Sequence, residues 1–277
     1  MFKILSKKAF AANEFDIWID APRIARNGRA GQFCVLRVDE HGERIPLTVA
    51  EYDPEGGKIR MIFQTVGKTT TALGKLNEGD CIHDILGPLG TPSEVKNYGT
   101  VLMIGGGVGI AALFPIIKAL KEAGNKVITI LGGRTKDLVI MMEECAKYSD
   151  ELIVTTDDGS YGIKGVVTTA MDMLHDRGEK IDYCWAIGPS IMMKFASLKA
   201  KELNIPCWVS LNPIMIDGTG MCGGCRVTVN DQIRFACVDG PEFDGWGVNW
   251  NEFMTRLRQY KDEEKISLDK YKSEVGE

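Results

Sequence analysis

The sequence has no apolar run long enough to cross a membrane, because its longest apolar runs, 101–104 and 113–117, fall far below the ~20 residues that a bilayer requires. The first ten residues carry three lysines but no long apolar stretch, so no signal peptide is expected. We therefore expect a cytoplasmic protein without a membrane partner. An excess of basic charge is also missing. The 33 Lys and Arg residues against 38 Asp and Glu give a net charge of −5, so nucleic acid is not an expected partner.

The composition is that of a globular protein, with 44% hydrophobic and 26% charged residues, and 277 residues allow two domains with a short appendage. Eight cysteines in a cytosolic chain argue against a disulfide framework and favour metal ligands or buried thiols. Five are scattered, and we expect them to be small buried hydrophobic residues: Cys34, Cys81, Cys145, Cys184 and Cys207. The other three, Cys222, Cys225 and Cys237, lie within sixteen residues and need another explanation.

Two successive patterns predict the fold. Residues 1–95 contain short strands separated by turns and one short helix, which is typical of an antiparallel β-barrel. Residues 96–205 alternate between strands and helices, including a predicted helix over 137–148, which indicates a parallel sheet covered by helices. Residues 206–247 then form a small lobe, and 248–277 a charged helical tail. The expected fold is thus a β-barrel followed by an α/β domain.

A glycine-rich loop directly follows one predicted strand and directly precedes a helix. Glycines there let the backbone turn sharply and approach a pyrophosphate, and the free N–H groups at the helix start face the anion. The candidate residues for a nicotinamide dinucleotide are Gly106, Gly107, Val108 and Gly109. A tight strand-to-helix turn without a ligand is the alternative. A standard Rossmann unit is not expected, because the second strand ends in Leu131-Gly132-Gly133-Arg134 and lacks the usual acidic residue.

Further candidates follow the third and fourth strands of the α/β region. Asp157 and Asp158 come after the third strand, and Gly188 and Pro189 after the fourth. Ligands of open parallel sheets gather at the carboxyl ends of the strands. Two adjacent carboxylates would accept hydrogen bonds from ribose hydroxyls and would repel an additional 2′-phosphate. The alternative for each aspartate is a solvated turn.

The most specific motif is Asp217-x4-Cys222-x2-Cys225-x11-Cys237 in a glycine-rich stretch. Plant-type ferredoxins hold a [2Fe–2S] cluster with a C-x4-C-x2-C…C spacing, and here an aspartate takes the first position. A carboxylate oxygen can also ligate iron, so the expected ligands are Asp217, Cys222, Cys225 and Cys237. Zinc held by the three cysteines is an alternative, although the spacing is poor for zinc. Cys207 is an alternative fourth ligand.

The barrel contributes a weaker motif between residues 62 and 70. Gly67, followed by Thr69 and Thr70 at a predicted helix start, resembles an anion cradle that offers hydroxyl and N–H groups. A threonine helix cap without a ligand is the alternative.

Together these stretches resemble the ferredoxin-reductase-like flavoproteins over residues 1 to about 247. Most similar among them are the electron-transfer subunit of dihydroorotate dehydrogenase and the small subunit of NADH-dependent ferredoxin:NADP⁺ oxidoreductase. Pro46-Leu47-Thr48 is similar to the family's Arg-Pro-Leu-Ser segment beside the flavin, with Ile45 at the arginine position and Arg44 one position early. Residues 66–70 are similar to the family's Val-Gly-Lys-Gly-Thr loop, and Gly133-Arg134 matches its nicotinamide domain.

The resemblance implies that the barrel binds FAD, the α/β domain binds NAD(H) and the C-terminal lobe holds a [2Fe–2S] cluster. The residues implied for FAD are Pro46, Leu47, Thr48, Ile62, Gln64, Val66, Gly67, Thr69 and Thr70. Those implied for the nicotinamide dinucleotide are the glycine loop with Gly133, Arg134, Asp157, Asp158, Gly188 and Pro189. Hydride transfer needs no protein acid or base, so no catalytic residue is assigned.

Asp217 favours one subgroup, since dihydroorotate-linked subunits carry cysteine at that position. The resemblance then implies an oxidoreductase subunit of an electron-bifurcating ferredoxin:NADP⁺ oxidoreductase. Its partner would be a larger subunit that carries a flavin and [4Fe–4S] clusters. Ferredoxin and NADP(H) would exchange electrons with the protein through that partner. The alternatives are the electron-transfer subunit of a dihydroorotate dehydrogenase and a non-catalytic, zinc-binding redox sensor.

Overall fold

The computed structural model describes residues 1–11 and 13–276, and its first part consists of antiparallel strands. These are β1 (Phe2–Ala11), β2 (Glu14–Asp20), β3 (Phe33–Arg37), β4 (Arg44–Thr48), β5 (Glu51–Asp53), β6 (Lys58–Gln64), β7 (Cys81–Ile82) and β8 (Asp84–Leu89). They form a five-stranded sheet, β5-β6-β2-β1-β7, and a three-stranded sheet, β4-β3-β8. The helices of this part are α1 (Pro22–Asn27) and α2 (Lys68–Lys75). Side chains of both sheets share one core, which includes Ile17, Leu36 and Met61.

The first strand was not expected from the sequence. Strand β1 buries only Ile4 of its ten residues, so it carries no alternation of apolar and polar side chains. Its position depends on pairing with β2, in which Ile4 lies opposite Ile19, and on pairing with β7. Tertiary contacts therefore define this strand.

The second part is the expected parallel sheet with helices on both faces. It contains β9 (Thr100–Gly106), α3 (Gly109–Glu122), β10 (Lys126–Gly133), α4 (Met142–Lys147), β11 (Glu151–Thr156), β12 (Ile163–Lys164), α5 (Val167–Asp176), β13 (Tyr183–Ile187), α6 (Ser190–Glu202) and β14 (Cys207–Ser210). A 3-10 turn at Lys136–Leu138 precedes α4. The strand order is β12-β11-β10-β9-β13-β14, and all these neighbours are parallel. The predicted fold class, antiparallel barrel followed by parallel α/β sheet, is confirmed.

The predicted helix over 137–148 is shorter in the structure. The 3-10 segment ends at Leu138, and Met141, with a left-handed backbone conformation and φ of 56°, directly precedes α4, which begins at Met142. A non-glycine residue rarely adopts this conformation, and no pattern in the sequence signals it. Periodicity alone therefore merged two short elements into one helix.

The third part is attached to both of the others. It contains a hairpin of β15 (Arg226–Val229) and β16 (Gln232–Phe235), followed by β17 (Glu242–Asp244), α7 (Trp250–Arg256) and α8 (Lys261–Val275). Strand β17 joins the edge of the parallel sheet by antiparallel pairing with β14. Phe33 and Val35 of β3 belong to the same apolar core as Cys225 and Cys237. The lobe thus rests on the barrel and extends the sheet.

The charged tail forms two helices. Helix α8 buries no residue fully, and it lies against α2 of the barrel, where the Lys75 ammonium stands 5.1 Å from the ring centre of Tyr271. Within the part of the chain that the structure describes, no helix combines the length and the apolar character that a bilayer crossing would need.

Candidate functional site

Four neighbouring strands bring the predicted nicotinamide residues to one edge of the parallel sheet. In the order β11-β10-β9-β13, these strands all end at that edge, with Gly132 opposite Gly106 and Ile187 opposite Gly105. The segments that leave the strands there contain Gly107, Val108, Gly109, Arg134, Asp157, Asp158, Gly188 and Pro189. The sheet topology therefore brings together residues that are separated by more than eighty positions in the sequence.

Three glycines at this edge, Gly106, Gly107 and Gly109, have different surroundings, and of these only Gly109 meets another backbone segment. A Cβ atom added to Gly109 would lie 2.5 Å from the Cα atom of Gly188, and one added to Gly106 would lie 2.5 Å from the sulfur of Met192. Gly107 differs, because its φ is +52° and no atom lies within 4 Å of the position that a Cβ would take. The space above Gly107, at the N-terminus of α3, is thus open, which fits a dinucleotide phosphate.

The two aspartates have different surroundings. The N–H of Asp157 donates to the Gly133 carbonyl (3.1 Å) and that of Asp158 to the Arg134 carbonyl (3.2 Å), which ties the two loops together. The Asp158 carboxylate accepts a hydrogen bond from the Ser160 N–H at 2.9 Å, and this bond lowers the pKa of Asp158. Both aspartates are exposed, but Asp158 holds the turn, so Asp157 is the better placed of the two to accept a hydrogen bond from a ribose hydroxyl.

Strand β4 offers one face to the barrel core and the opposite face outward. Ile45 and Leu47 pack against the barrel core, while Pro46 and Thr48 are half-buried on the other face. Because side chains alternate along a strand, the exposed Arg44 shares the face of Pro46 and Thr48. The Leu47 side chain points into the barrel, so only its backbone is available to a flavin on that outer face.

The start of α2 combines a cap with an open surface. The Thr70 hydroxyl accepts hydrogen bonds from the N–H groups of Val66 and Gly67, each at 3.0 Å. The threonine cap that was the alternative to an anion cradle is therefore present. Thr69 is buried, and no atom lies within 4 Å of a Cβ position on Gly67. This open approach to a helix N-terminus fits a pyrophosphate as well, so the two roles are compatible.

The two remaining flavin candidates lie on β6. Ile62 is 6% exposed and packs into the core of the α/β part, so it joins the two parts of the chain. The Gln64 amide donates to Glu14 Oε1 at 3.4 Å. Glu14 is buried, its Oε2 has no hydrogen-bond partner among the described residues, and burial raises its pKa. Glu14 was not predicted from the sequence, because an acidic residue beside a turn gives no sign of burial.

In the cysteine loop, a backbone hydrogen bond joins two of the four expected ligands, and the sulfur atoms of the other two lie side by side. The Asp217 carboxylate accepts the N–H of Cys222 at 2.7 Å, and the sulfur atoms of Cys225 and Cys237 lie 3.3 Å apart. Two thiolates on one tetrahedral metal, at about 2.3 Å each, are separated by roughly 3.8 Å. Among the described residues, no three His, Cys, Asp or Glu side chains surround a single metal position. The two close sulfur atoms can share one iron, and the Asp217 carboxylate lies beside Cys222, so the loop fits a two-iron cluster.

Glycines determine the path of this loop and its contact with the barrel. Gly218, Gly220 and Gly223 have φ values of +75°, +82° and +64°, which other residues rarely adopt. A Cβ on Gly218 would lie 2.7 Å from the side chain of Leu89 and 3.2 Å from that of Val35. The loop therefore lies directly on β3 and β8. Hydrogen bonds from the Thr219 and Cys222 N–H groups lower the pKa of Asp217, which keeps its carboxylate ionised.

The remaining cysteines lie in other surroundings. Cys207 is buried in β14, directly opposite Cys184 of β13, and both belong to the α/β core. This pairing within the sheet gives Cys207 a packing role and supports Asp217 over it as the fourth ligand. Cys34 and Cys145 are buried as expected, but the expectation for Cys81 is wrong. Cys81 is exposed because it alternates with the buried Ile82 in the two-residue edge strand β7.

Comparison with known proteins identifies two domain families in the chain. The oxidoreductase NAD-binding domain matches residues 103–198, and the iron–sulfur cluster binding domain of dihydroorotate dehydrogenase B matches residues 212–249. A Thermotoga maritima protein described as a homolog of the dihydroorotate dehydrogenase B (NAD(+)) electron transfer subunit is 59% identical over 275 residues, which are 99% of this chain and 97% of the relative. The chain belongs to this family of electron transfer subunits and their homologues.

A second relative and a solved structure are also similar to this chain. The dihydroorotate dehydrogenase B (NAD(+)) electron transfer subunit of Streptococcus pneumoniae serotype 4 is 34% identical and covers 87% of this chain and 97% of its own length. A solved structure of the NADH-dependent reduced ferredoxin-NADP oxidoreductase, studied for flavin-based electron bifurcation, is 59% identical. It superimposes with a TM-score of 0.93 over 98% of both chains. The predicted family and its fold are confirmed, and the individual cofactor contacts stay predictions.

Proposed function

We propose that this protein is the NAD(H)-binding small subunit of an electron-bifurcating, NADH-dependent ferredoxin:NADP⁺ oxidoreductase, which passes electrons between NADH, FAD and a [2Fe–2S] cluster. The contact between two cofactor regions carries the proposal. The loop that starts at Asp217 lies on Val35 of β3, and Val35 pairs with Pro46 of the neighbouring strand β4. Neighbouring strands are about 4.8 Å apart, so a flavin on β4 and a cluster in the loop would be separated by little more than one strand.

The α/β part contributes the NAD(H) site. In the proposal, the backbone at Gly107 and the N-terminus of α3 receive the pyrophosphate. The carboxylate of Asp157 accepts a hydrogen bond from a ribose hydroxyl and repels the 2′-phosphate of NADP(H). Gly109 and Gly188 let the loops after β9 and β13 meet closely beside the pyrophosphate position.

The barrel contributes the FAD site. Pro46 and Thr48 present a half-buried face for the flavin ring, and the open N-terminus of α2 at Gly67 receives the pyrophosphate. When bound, NADH supplies a hydride, FAD divides the electron pair, and the cluster carries single electrons. The protein side chains orient these groups and exclude water from them, and none is assigned as an acid or a base.

The proposed partner is a larger subunit with a flavin and [4Fe–4S] clusters, through which ferredoxin and NADP(H) are reached. Exposed apolar side chains beside the cysteine loop support a partner on that face. Ile216, Met221 and Val238 are 55%, 89% and 42% exposed. Apolar side chains that are grouped and exposed commonly mark a protein interface.

The experiment is cofactor analysis of the full-length chain purified without oxygen, together with a variant of the first ligand. We expect FAD, about two iron atoms and about two sulfides per chain, with an EPR signal on reduction. Asp217→Cys should keep the cluster and shift its reduction potential, and Asp217→Ala should lose iron. Asp269→Ala, which removes an exposed carboxylate of α8, is the matched control. Zinc without iron, or an unchanged potential in Asp217→Cys, would contradict the proposal.

A second candidate is the electron-transfer subunit of a dihydroorotate dehydrogenase. The 34% identity to the Streptococcus pneumoniae subunit along most of both chains supports it. Affinity purification of the tagged chain from its own cells distinguishes the two. A co-purifying large flavoprotein with [4Fe–4S] clusters supports the first function, whereas a subunit that oxidises dihydroorotate supports the second.

A further inference from the structure

Two arginines contact the backbone between Cys222 and Cys225. Arg226 is the first residue of β15, and its Nη1 donates to the Gly223 carbonyl at 2.8 Å. Arg256 ends α7, and its Nη2 donates to the Gly224 carbonyl at 3.2 Å. Two separate elements thus direct a guanidinium at the same short loop.

The contact of Arg226 links its guanidinium to the Cys222 sulfur through a single peptide group. The Gly223 carbonyl and the Gly224 N–H belong to one peptide unit, and that N–H donates to the Cys222 sulfur at 3.4 Å. A hydrogen bond to the carbonyl polarises the peptide and strengthens the bond donated by its N–H. The charge of Arg226 is therefore relayed through one peptide to the sulfur of a cluster ligand.

Among the described residues, no carboxylate forms an ion pair with either guanidinium. All the polar contacts of these two arginines within residues 1–11 and 13–276 are to backbone carbonyls, and no ion pair is among them. Both arginines and Cys222 line one cavity of about 300 Å³. Their positive charge thus acts on the Cys222 end of the loop.

Reduction of an iron–sulfur cluster adds negative charge, so hydrogen bonds to its sulfur ligands and nearby cations raise its reduction potential. We propose that Arg226, through the Gly223–Gly224 peptide and with Arg256 beside it, raises the reduction potential of the cluster at its Cys222 end. Both are positioning residues, since they act through the backbone. This inference rests on the cluster proposed above. It deepens that function because it names residues that set the reduction potential at which the cluster accepts a single electron.

The test measures the reduction potential of the full-length holoprotein by equilibration with redox dyes, with the EPR signal of the reduced cluster as readout. In Arg226→Gln we expect the equilibrium constant for reduction to fall about tenfold, which corresponds to ~59 mV for one electron. Arg256→Gln should produce a smaller fall, because its carbonyl belongs to the next peptide. Arg226→Lys keeps the charge and should lie between wild type and Arg226→Gln.

Arg234→Gln is the matched control. Arg234 lies on β16 of the same hairpin and donates to Gln232, so its loss changes the net charge equally without touching the loop. A potential of Arg226→Gln equal to that of Arg234→Gln overturns the proposal. If Arg226→Gln does not retain iron, the comparison moves to Arg226→Lys with Arg234→Lys as its control, and equal potentials of these two variants again overturn the proposal. Wild-type protein without iron would instead refute the cluster itself.

Discussion

Replacing Gly109 by alanine tests the nicotinamide site most directly. The added Cβ would lie 2.5 Å from Gly188 Cα, 2.7 Å from the Ile187 carbonyl oxygen and 2.8 Å from Gly188 N. All three atoms are backbone at the end of β13, so no side chain can rotate away. Ordinary contacts begin near 3.4 Å, and the helix or the strand end must therefore move by nearly 1 Å.

Two energies of opposite sign compete in this variant. Alanine is a better helix former than glycine by up to ~1 kcal/mol, which favours the variant within α3. Forcing a methyl group into a packed contact costs about 1–3 kcal/mol, and more where backbone must shift. The steric cost is the larger, so we expect a net loss of about 1–2 kcal/mol in the free energy of unfolding. Separation of the two loops should also weaken NADH binding about tenfold, the equivalent of ~1.4 kcal/mol.

Urea denaturation and calorimetric NADH titration of the intact protein measure both effects. Gly178→Ala is the control, since it adds the same methyl after α5, away from the four loops, where no atom lies within 4 Å; its φ of +76° makes the change destabilising without a contact at the site. That control should leave NADH affinity unchanged. If Gly109→Ala binds NADH as tightly as wild type and unfolds at the same urea concentration, the close approach of the two loops is not what shapes the site.

Three further predictions concern other groups. Arg60 is buried and donates to both carboxylate oxygens of Asp16, at 3.0 and 2.8 Å. Because Arg60→Leu would leave the Asp16 carboxylate without this partner, it should lower the free energy of unfolding by about 3–5 kcal/mol. An unchanged urea midpoint would contradict this. Asp157→Ala should narrow the preference for NADH over NADPH in binding titrations, and unaltered selectivity would remove that role. Burial raises the pKa of Glu242, so its contribution to stability is complete below its unfolded pKa of ~4.3 and is lost as pH rises through the folded value. Glu242→Gln should therefore flatten the fall in unfolding free energy as the pH rises above about 4, and an equally steep fall would refute the raised pKa of Glu242.

The motifs were predictable because each requires a local backbone path. Glycines at positive φ, such as Gly107 and Gly218, mark sharp turns wherever the rest of the chain lies. The spacing from Asp217 to Cys237 likewise indicates a cluster loop without knowledge of the fold. Alternation of strands and helices after residue 96 was enough to predict a parallel sheet.

The elements that were missed depend on distant partners. Strand β1 has no apolar alternation and exists because β2 and β7 pair with it. Cys81 was expected to be buried, but its strand is an edge of two residues and its side chain faces outward. Arg256 carries no signal in the sequence, since only the packing of α7 brings it to the Gly224 carbonyl.

The amino-acid sequence alone determined the family, the order of the domains and the residue types of each cofactor site, because turns, periodicity and ligand spacing are local properties. Only the tertiary structure decided which of these residues meet. It grouped the loops after four strands at one sheet edge, paired Asp217 with Cys222 and Cys225 with Cys237, and laid the cysteine loop on β3. Such contacts join residues far apart in the chain, and their geometry depends on how the sheets and helices pack, which no short stretch of sequence encodes.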